Sequence, residues 1–134
     1  MRISTDTGNA FNPREAAWLV KCAIEGFAQG CMLAWPRWKL PPLYQSGVRF
    51  RLPPEHGTGE EYMRLPPFTY RDKWGDCDRL LIWWLCENWA QGRPASCNTL
   101  FVGSRMHVRG RRSWPGDESG PIEDPAVILG APTR

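Results

Sequence analysis

The chain has 134 residues with a formal net charge of +3, 42% hydrophobic and 23% charged residues. This length and composition are typical of one globular domain, and they exclude a multidomain protein and a disordered chain. No apolar run approaches the ~20 residues of a membrane-spanning helix, so no membrane span is expected. The first residues lack the apolar segment of a secretory signal, so a secretory signal is not expected either.

Residues 1–12 are polar, and we expect them to form a flexible arm. The first helix is predicted over residues 13–30, because Asn12 is a favourable N-cap, Pro13 suits the first helical position and Gly30 is a common stop signal. Apolar residues recur there at three- and four-residue steps and predict one buried face, formed by Trp18, Leu19, Cys22, Ala23 and Phe27.

Residues 36–70 form a proline-rich segment, with seven of the thirteen prolines between Pro36 and Pro67. Proline interrupts helices, so regular helix is not expected in this stretch. Only residues 47–52 alternate as a short edge strand does. We expect an extended arm that crosses the domain, carries a loop tip near His56 and offers a docking surface.

The second helix is predicted from Gly75–Cys77 to Gln91–Gly92 by a continuous apolar stripe. Short antiparallel strands are expected after it, near residues 98–102, 106–108 and 122–124. This order, a long helix followed by strands, indicates an α+β fold. Four tryptophans of the two helices are expected to anchor the core: Trp18, Trp83, Trp84 and Trp89.

Cys77 is the first candidate for chemistry because it lies at the start of the second helix. Unpaired backbone N–H groups and the helix dipole favour a thiolate there. The other cysteines, at 22, 31, 86 and 97, are expected to be small packing groups in a reducing compartment. Their spacing includes no CxxC pair, so a zinc site is not expected.

His107 belongs to a predicted strand in which it shares the polar side with Arg105 and Arg109, opposite Met106 and Val108. Asp124 ends the next predicted strand, from which a carboxylate could orient the imidazole. A thiol, a histidine and an acid in this order are typical of nucleophilic acyl transfer. The other histidine, His56, has no strand context and is expected to be solvent-exposed.

The segments PPLYQSGVRF (41–50), WGDCDRL (74–80), HV (107–108) and IEDP (122–125) resemble the small transglutaminase-like cysteine proteins encoded by tailed bacteriophages and prophages. The resemblance spans residues 40–129. It implies a papain-like or transglutaminase-like fold with a core over residues 74–129, in which the nucleophile helix packs on a small antiparallel sheet.

By the same resemblance, Cys77 corresponds to the nucleophile, His107 to the base and Asp124 to the orienting acid. Arg79 departs from the family pattern, which commonly has an acid there, and we expect it to pair with the thiolate or to change the preferred substrate charge. Ala126 replaces a common serine. The backbone N–H of Cys77 is expected to be one oxyanion donor, with Trp74 or Tyr44 supplying the other.

Two functions follow as expectations. The first is a cysteine peptidase, amidase or transglutaminase-like acyl transferase that acts on a protein or peptide substrate, without a cofactor or metal. The alternative is a virion structural or assembly component that keeps the fold with an idle or weakly used triad and docks other phage proteins through the arm. We expect the host cytoplasm during infection, or the virion, as the location, and nucleic acid is not an expected partner.

Overall fold

A computed structural model describes residues 2–4, 10–52, 60–103 and 105–132. Most of the expected N-terminal arm and the loop tip with His56 lie outside these ranges. The described part is a mixture of helices and small sheets, which confirms an α+β fold. Its helices are α1 (Pro13–Met32), α2 (Trp35–Trp38), a 3₁₀ turn (Leu43–Gln45), α3 (Pro66–Asp72), α4 (Cys77–Ala90) and α5 (Pro125–Ile128). Its strands are β1 (Arg2–Ser4), β2 (Arg49–Phe50), β3 (Glu60–Tyr62), β4 (Trp74–Gly75), β5 (Ser96–Val102), β6 (Arg105–Arg111) and β7 (Ile122–Glu123).

The three predicted strands near the C-terminus are confirmed as an antiparallel sheet in the order β5–β6–β7. Leu100 is opposite His107 in the register, and Gly110 is opposite Glu123. Two smaller pairings accompany this sheet: β1 with β3, antiparallel, and β2 with β4, parallel. The β2–β4 pairing places the proline-rich segment directly beside the start of α4.

Helix α4 corresponds to the second predicted helix, and it lies at the centre of the core. Its N-cap is Asp76, whose side chain accepts a hydrogen bond from the Arg79 N–H. Every residue from Asp78 to Cys86 is buried, because the helix packs against α1, α3, α5 and β6. Trp83 and Trp84 are fully buried, which confirms two of the expected anchors, and Trp89 packs partly buried against the core.

Helix α1 has the predicted start, with a capping box between Asn12 and Glu15, but it continues past Gly30 to Met32. The predicted buried face is wrong in part, since Trp18, Leu19 and Cys22 are exposed. The buried residues of α1 are mostly small: Ala16, Ile24, Ala28 and Cys31. Small side chains allow α1 and α4 to approach closely, and Cys86 Sγ lies 3.4 Å from the Ala28 carbonyl oxygen.

The expectation that helix is absent from residues 36–70 is also wrong. Pro36 lies in the first turn of α2, and Pro66 and Pro67 open α3. Proline is compatible with a first turn because the backbone N–H that it lacks has no partner within the helix there. The strand expected over 47–52 is confirmed only as Arg49–Phe50.

Candidate active site

The structure brings His107 and Asp124 into direct contact. His107 Nε2 lies 2.7 Å from Asp124 Oδ2, and the two side chains are 15% and 18% exposed. His107 lies in the middle of β6, and Asp124 follows β7, the strand that pairs with the end of β6. The antiparallel register therefore produces this pair from residues that are 17 positions apart in the chain.

Asp124 has a second task that fixes its side chain. It is the N-cap of α5, and its Oδ1 atom accepts hydrogen bonds from the backbone N–H groups of Ala126, at 3.1 Å, and Val127, at 3.5 Å. One carboxylate oxygen is thus anchored by the helix terminus, and the other is directed at the imidazole. A carboxylate held in this way can fix the orientation of a histidine ring.

Cys77 is the first residue of α4, and its thiol is half-buried. Its Sγ atom lies 3.6 Å from Asp78 Oδ1. Gly75, two residues before Cys77, lies in close packing, because a Cβ atom there would be 3.1 Å from the Arg79 Cβ and 3.2 Å from a Leu80 methyl group. Glycine at 75 therefore allows the chain to turn tightly into the helix that begins at Cys77.

Two contacts fix the position of α4 along β6. Trp84 lies against Gly110, where a Cβ would be 2.5 Å from the ring, and Asn88 Oδ1 accepts a hydrogen bond of 3.1 Å from Arg112. The helix and the strand therefore run in the same direction. Cys77 precedes Trp84 by about 10 Å of helix, and His107 precedes Gly110 by about 10 Å of strand, so both residues lie toward the same end of this helix–strand pair.

The alternation of β6 gives the strand two distinct faces. Val108 is 2% exposed and, with Gly110, points toward α4, so we call this side the α4 face. His107 points to the opposite side, the His107 face, as do Arg105 and Arg109. The structure thus places His107 in direct contact with Asp124. Cys77 lies at the start of α4, which packs on the other side of the strand.

Arg79 and Trp74 have structural contacts beside Cys77. The Arg79 side chain is 5% exposed, lies 3.9 Å from the Asp76 carboxylate and stacks on the Trp74 ring, 4.6 Å from its centroid. Arg51 stacks on the same ring at 5.2 Å. The Arg79 guanidinium is therefore held between the Asp76 carboxylate and the Trp74 ring.

A network centred on Glu123 was not predicted from the sequence. Its Oε2 accepts hydrogen bonds from Tyr44 Oη, at 2.6 Å, and from Trp84 Nε1, at 2.7 Å, while Oε1 accepts two from Arg112. Burial raises the pKa of Glu123, but the hydrogen bonds from Tyr44, Trp84 and Arg112 outweigh it, so the pKa is lower than usual. Tyr44, an expected oxyanion donor, thus donates its hydroxyl hydrogen to Glu123.

The other cysteines differ in their environments. Cys31, Cys86 and Cys97 are buried as expected, whereas Cys22 is exposed on α1. A hydrogen bond with Cys31 and burial raise the pKa of Cys86, and burial raises the pKa of Cys97. Cys86 and Cys97 are therefore held as neutral thiols, and Cys22 and Cys77 are the cysteines with accessible sulfur.

Within the described ranges, the His, Cys, Asp and Glu side chains form no group of three that could hold a metal ion. None of the helices in those ranges is both long and apolar enough to cross a membrane. Comparison of the chain with protein-family models, with curated proteins and with solved structures gives no match in any of the three.

Proposed function

We propose that the protein is a cysteine-dependent acyl-transfer enzyme with a papain-like or transglutaminase-like fold, which acts on an amide through Cys77, His107 and Asp124. The observation that carries the proposal is the hydrogen bond between His107 Nε2 and an Asp124 carboxylate that α5 already anchors. An acid that orients the imidazole and stabilises the imidazolium is the partner that a catalytic histidine has in nucleophilic acyl transfer. The resemblance to the phage transglutaminase-like proteins supports the same assignment.

The hydrogen bond to Asp124 determines which imidazole nitrogen is active. With Nε2–H donated to Asp124, Nδ1 is the nitrogen that exchanges a proton with the thiol and the leaving group. The carboxylate also stabilises the imidazolium that forms when Nδ1 is protonated. Cys77 and His107 lie toward the same end of α4 and β6 but on opposite faces of the strand, so in this proposal the substrate amide reaches both groups around that end of the sheet.

The reaction has two steps, formation of a thioester and its cleavage. The Cys77 thiolate attacks the amide carbonyl carbon, and the C–N bond breaks as His107 Nδ1 delivers its proton to the departing amine, which leaves a thioester. Water or a second amine then attacks the thioester and gives its proton to Nδ1. The acyl group leaves the enzyme as an acid or a new amide, and Cys77 returns as the thiolate.

The start of α4 supplies a stabilising group for the tetrahedral intermediate. The first N–H groups of a helix have no partner within it, and they attract negative charge. In α4 the Cys77 N–H belongs to the first position of the helix. We assign the Cys77 N–H as an oxyanion donor.

The test is alkylation with iodoacetamide at pH 6.5, read cysteine by cysteine by mass spectrometry. Cys77 should react at least about tenfold faster than Cys22, since only an activated thiol is substantially ionised well below a pKa of about 8.5. Cys22 is the internal reference because it is exposed on α1, so access does not limit its reaction. His107→Ala should slow Cys77 and leave Cys22 unchanged. Equal rates at the two cysteines, or no effect of His107→Ala, would contradict the proposal.

A binding role in a virion is the second candidate, and the exposed apolar side chains of Phe11, Trp18 and Leu19 favour it. They border a groove of about 930 Å³ between α1, the start of β5 and the turn after β6. Contiguous exposed apolar surface often marks an interaction site. In this case the chain should be present in stoichiometric copies in purified virions, and its absence from the particles would remove this candidate.

A further inference from the structure

We propose that the substrate is an acidic peptide, recognised by Arg105 and Arg109 on the His107 face of β6. This inference rests on the proposed function, because it identifies the substrate class of the same site. Arg105 and Arg109 stand two residues before and two residues after His107 on the strand. Side chains at this spacing share one face of a strand and are about 7 Å apart.

Neither guanidinium is neutralised by a carboxylate within the described residues. Arg105 is exposed, and its side chain contacts no acid there. Arg109 is half-buried, and its Nε donates to the neutral Asn98 amide oxygen at 2.9 Å. By contrast, ion pairs do form elsewhere in the same structure, for example Arg112 with Glu123 and Arg64 with Asp72. Two uncompensated cations therefore flank the candidate base.

The contact with Asn98 orients Arg109 for a ligand. With Nε engaged, the two terminal nitrogens of the guanidinium remain as a pair of parallel donors. Such a pair matches the two oxygens of a carboxylate. Asp124, the acid that binds His107, is already committed to His107 and to the N-terminus of α5.

The groove described above meets this surface at Asn98. Asn98, which holds Arg109, also lines the groove, together with Trp18 and Arg111. Leu100, the register partner of His107, adds an apolar group beside the imidazole. An extended peptide advances about 3.3 Å per residue, so acidic side chains one or two residues from the target amide would reach Arg105 or Arg109. An apolar wall and two cations suit a peptide better than a long phosphate backbone, which requires many cationic contacts.

The experiment measures binding by fluorescence anisotropy with three tagged probes. They are the amidated peptide Gly-Glu-Gly-Gln-Gly-Glu-Gly, the same peptide with Gln in place of both Glu residues, and a twelve-residue oligothymidine. The Glu peptide should bind roughly tenfold more tightly than the Gln peptide at low salt, the ratio expected for two charge-assisted contacts. The variant R105Q/R109Q should remove that preference.

Charge-matched controls separate local recognition from the net charge of +3. R37Q/K39Q removes the same two charges from exposed positions away from β6, and it should leave the preference intact. R105E, at an exposed position without a described partner, should reverse the preference without affecting folding. Far-UV circular dichroism of each variant checks that the fold is kept.

Equal binding of the Glu and Gln peptides overturns the inference. So does tighter, Arg105- and Arg109-dependent binding of oligothymidine, because it would identify a nucleic-acid surface. The iodoacetamide test separates the two proposals. Selective Cys77 alkylation without a Glu preference overturns only the acidic substrate, whereas a Glu preference with unselective alkylation overturns the enzyme and leaves an acidic-peptide binding surface.

Discussion

The two faces of strand β6 differ in what their residues contribute. On the α4 face, Val108 and Gly110 pack against the central helix, and the neighbouring Glu123 binds Trp84. On the His107 face, Arg105, His107 and Arg109 are exposed or half-buried, and their described partners are hydrogen-bonding groups rather than core side chains. The alternation of β6 thus places core residues on one face and candidate catalytic residues on the other. Substitutions on the α4 face should change the free energy of unfolding, and substitutions on the His107 face should change reactivity or binding.

Gly110→Ala should have the largest effect on stability. A Cβ at this position would be 2.5 Å from the Trp84 ring and 2.9 Å from the Glu123 carbonyl oxygen, and the ring is fully buried and hydrogen-bonded. Overpacking of this kind should lower the free energy of unfolding by about 3 kcal/mol, measured by urea denaturation. Alkylation of Cys77 in the folded fraction should not change.

Gly26→Ala is the matched control, because no atom lies within 4 Å of a Cβ built there. Alanine favours helix over glycine, so this variant should gain up to about 1 kcal/mol. If Gly110→Ala were as stable as the wild type, the close packing of α4 on β6 would be wrong.

Glu123→Gln should lower the free energy of unfolding by about 2 kcal/mol at pH 7, because it removes the charge that Tyr44, Trp84 and Arg112 bind. The pKa of Glu123 is lower in the folded state, so its contribution is complete above the pKa of an unfolded glutamate. The contribution is lost as the pH falls through the lower, folded pKa. The difference between variant and wild type should therefore shrink in acid.

Urea denaturation between pH 7 and pH 3 measures this dependence. Glu118→Gln, at an exposed position in the turn after β6, is the control and should be neutral at every pH. A difference for Glu123→Gln that stays constant down to pH 3 would contradict the role of its charge.

Asp124→Asn should separate the two tasks of this side chain. Asparagine is also a good N-cap, so the free energy of unfolding should fall by less than about 1 kcal/mol. The imidazole loses its carboxylate, and Cys77 alkylation at pH 6.5 should slow by roughly tenfold. Asp124→Ala should slow alkylation similarly and also destabilise the protein by about 1 kcal/mol more, since it removes the cap of α5. Unchanged alkylation of Cys77 in both variants would mean that Asp124 does not contribute to activation of the thiol.

Features that depend on local pattern could be predicted from the sequence. The apolar stripe of α4 and the alternation around His107 predict a helix and a strand face, and both are observed. The Glu123 network could not be predicted, because it depends on the strand register and on Tyr44, which is 79 positions away in the chain. The density of prolines in residues 36–70 predicts interrupted helix, whereas Pro36, Pro66 and Pro67 occupy the first turns of α2 and α3, as Pro13 does in α1.

Helix α1 also has a packed side and an exposed side. The large apolar residues predict a buried face that includes Trp18, but Trp18 lies on the exposed side. Trp18 is 57% exposed and Ile24 is 1% exposed, although both are apolar and lie on the same helix. Trp18→Gln should therefore change the free energy of unfolding by less than about 0.5 kcal/mol, the smallest of these effects. Ile24→Ala, the control on the packed side, should lower it by about 2 to 4 kcal/mol. Urea denaturation of both variants measures the contrast, and equal losses would mean that Trp18 packs against the core rather than lining the groove beside the His107 face.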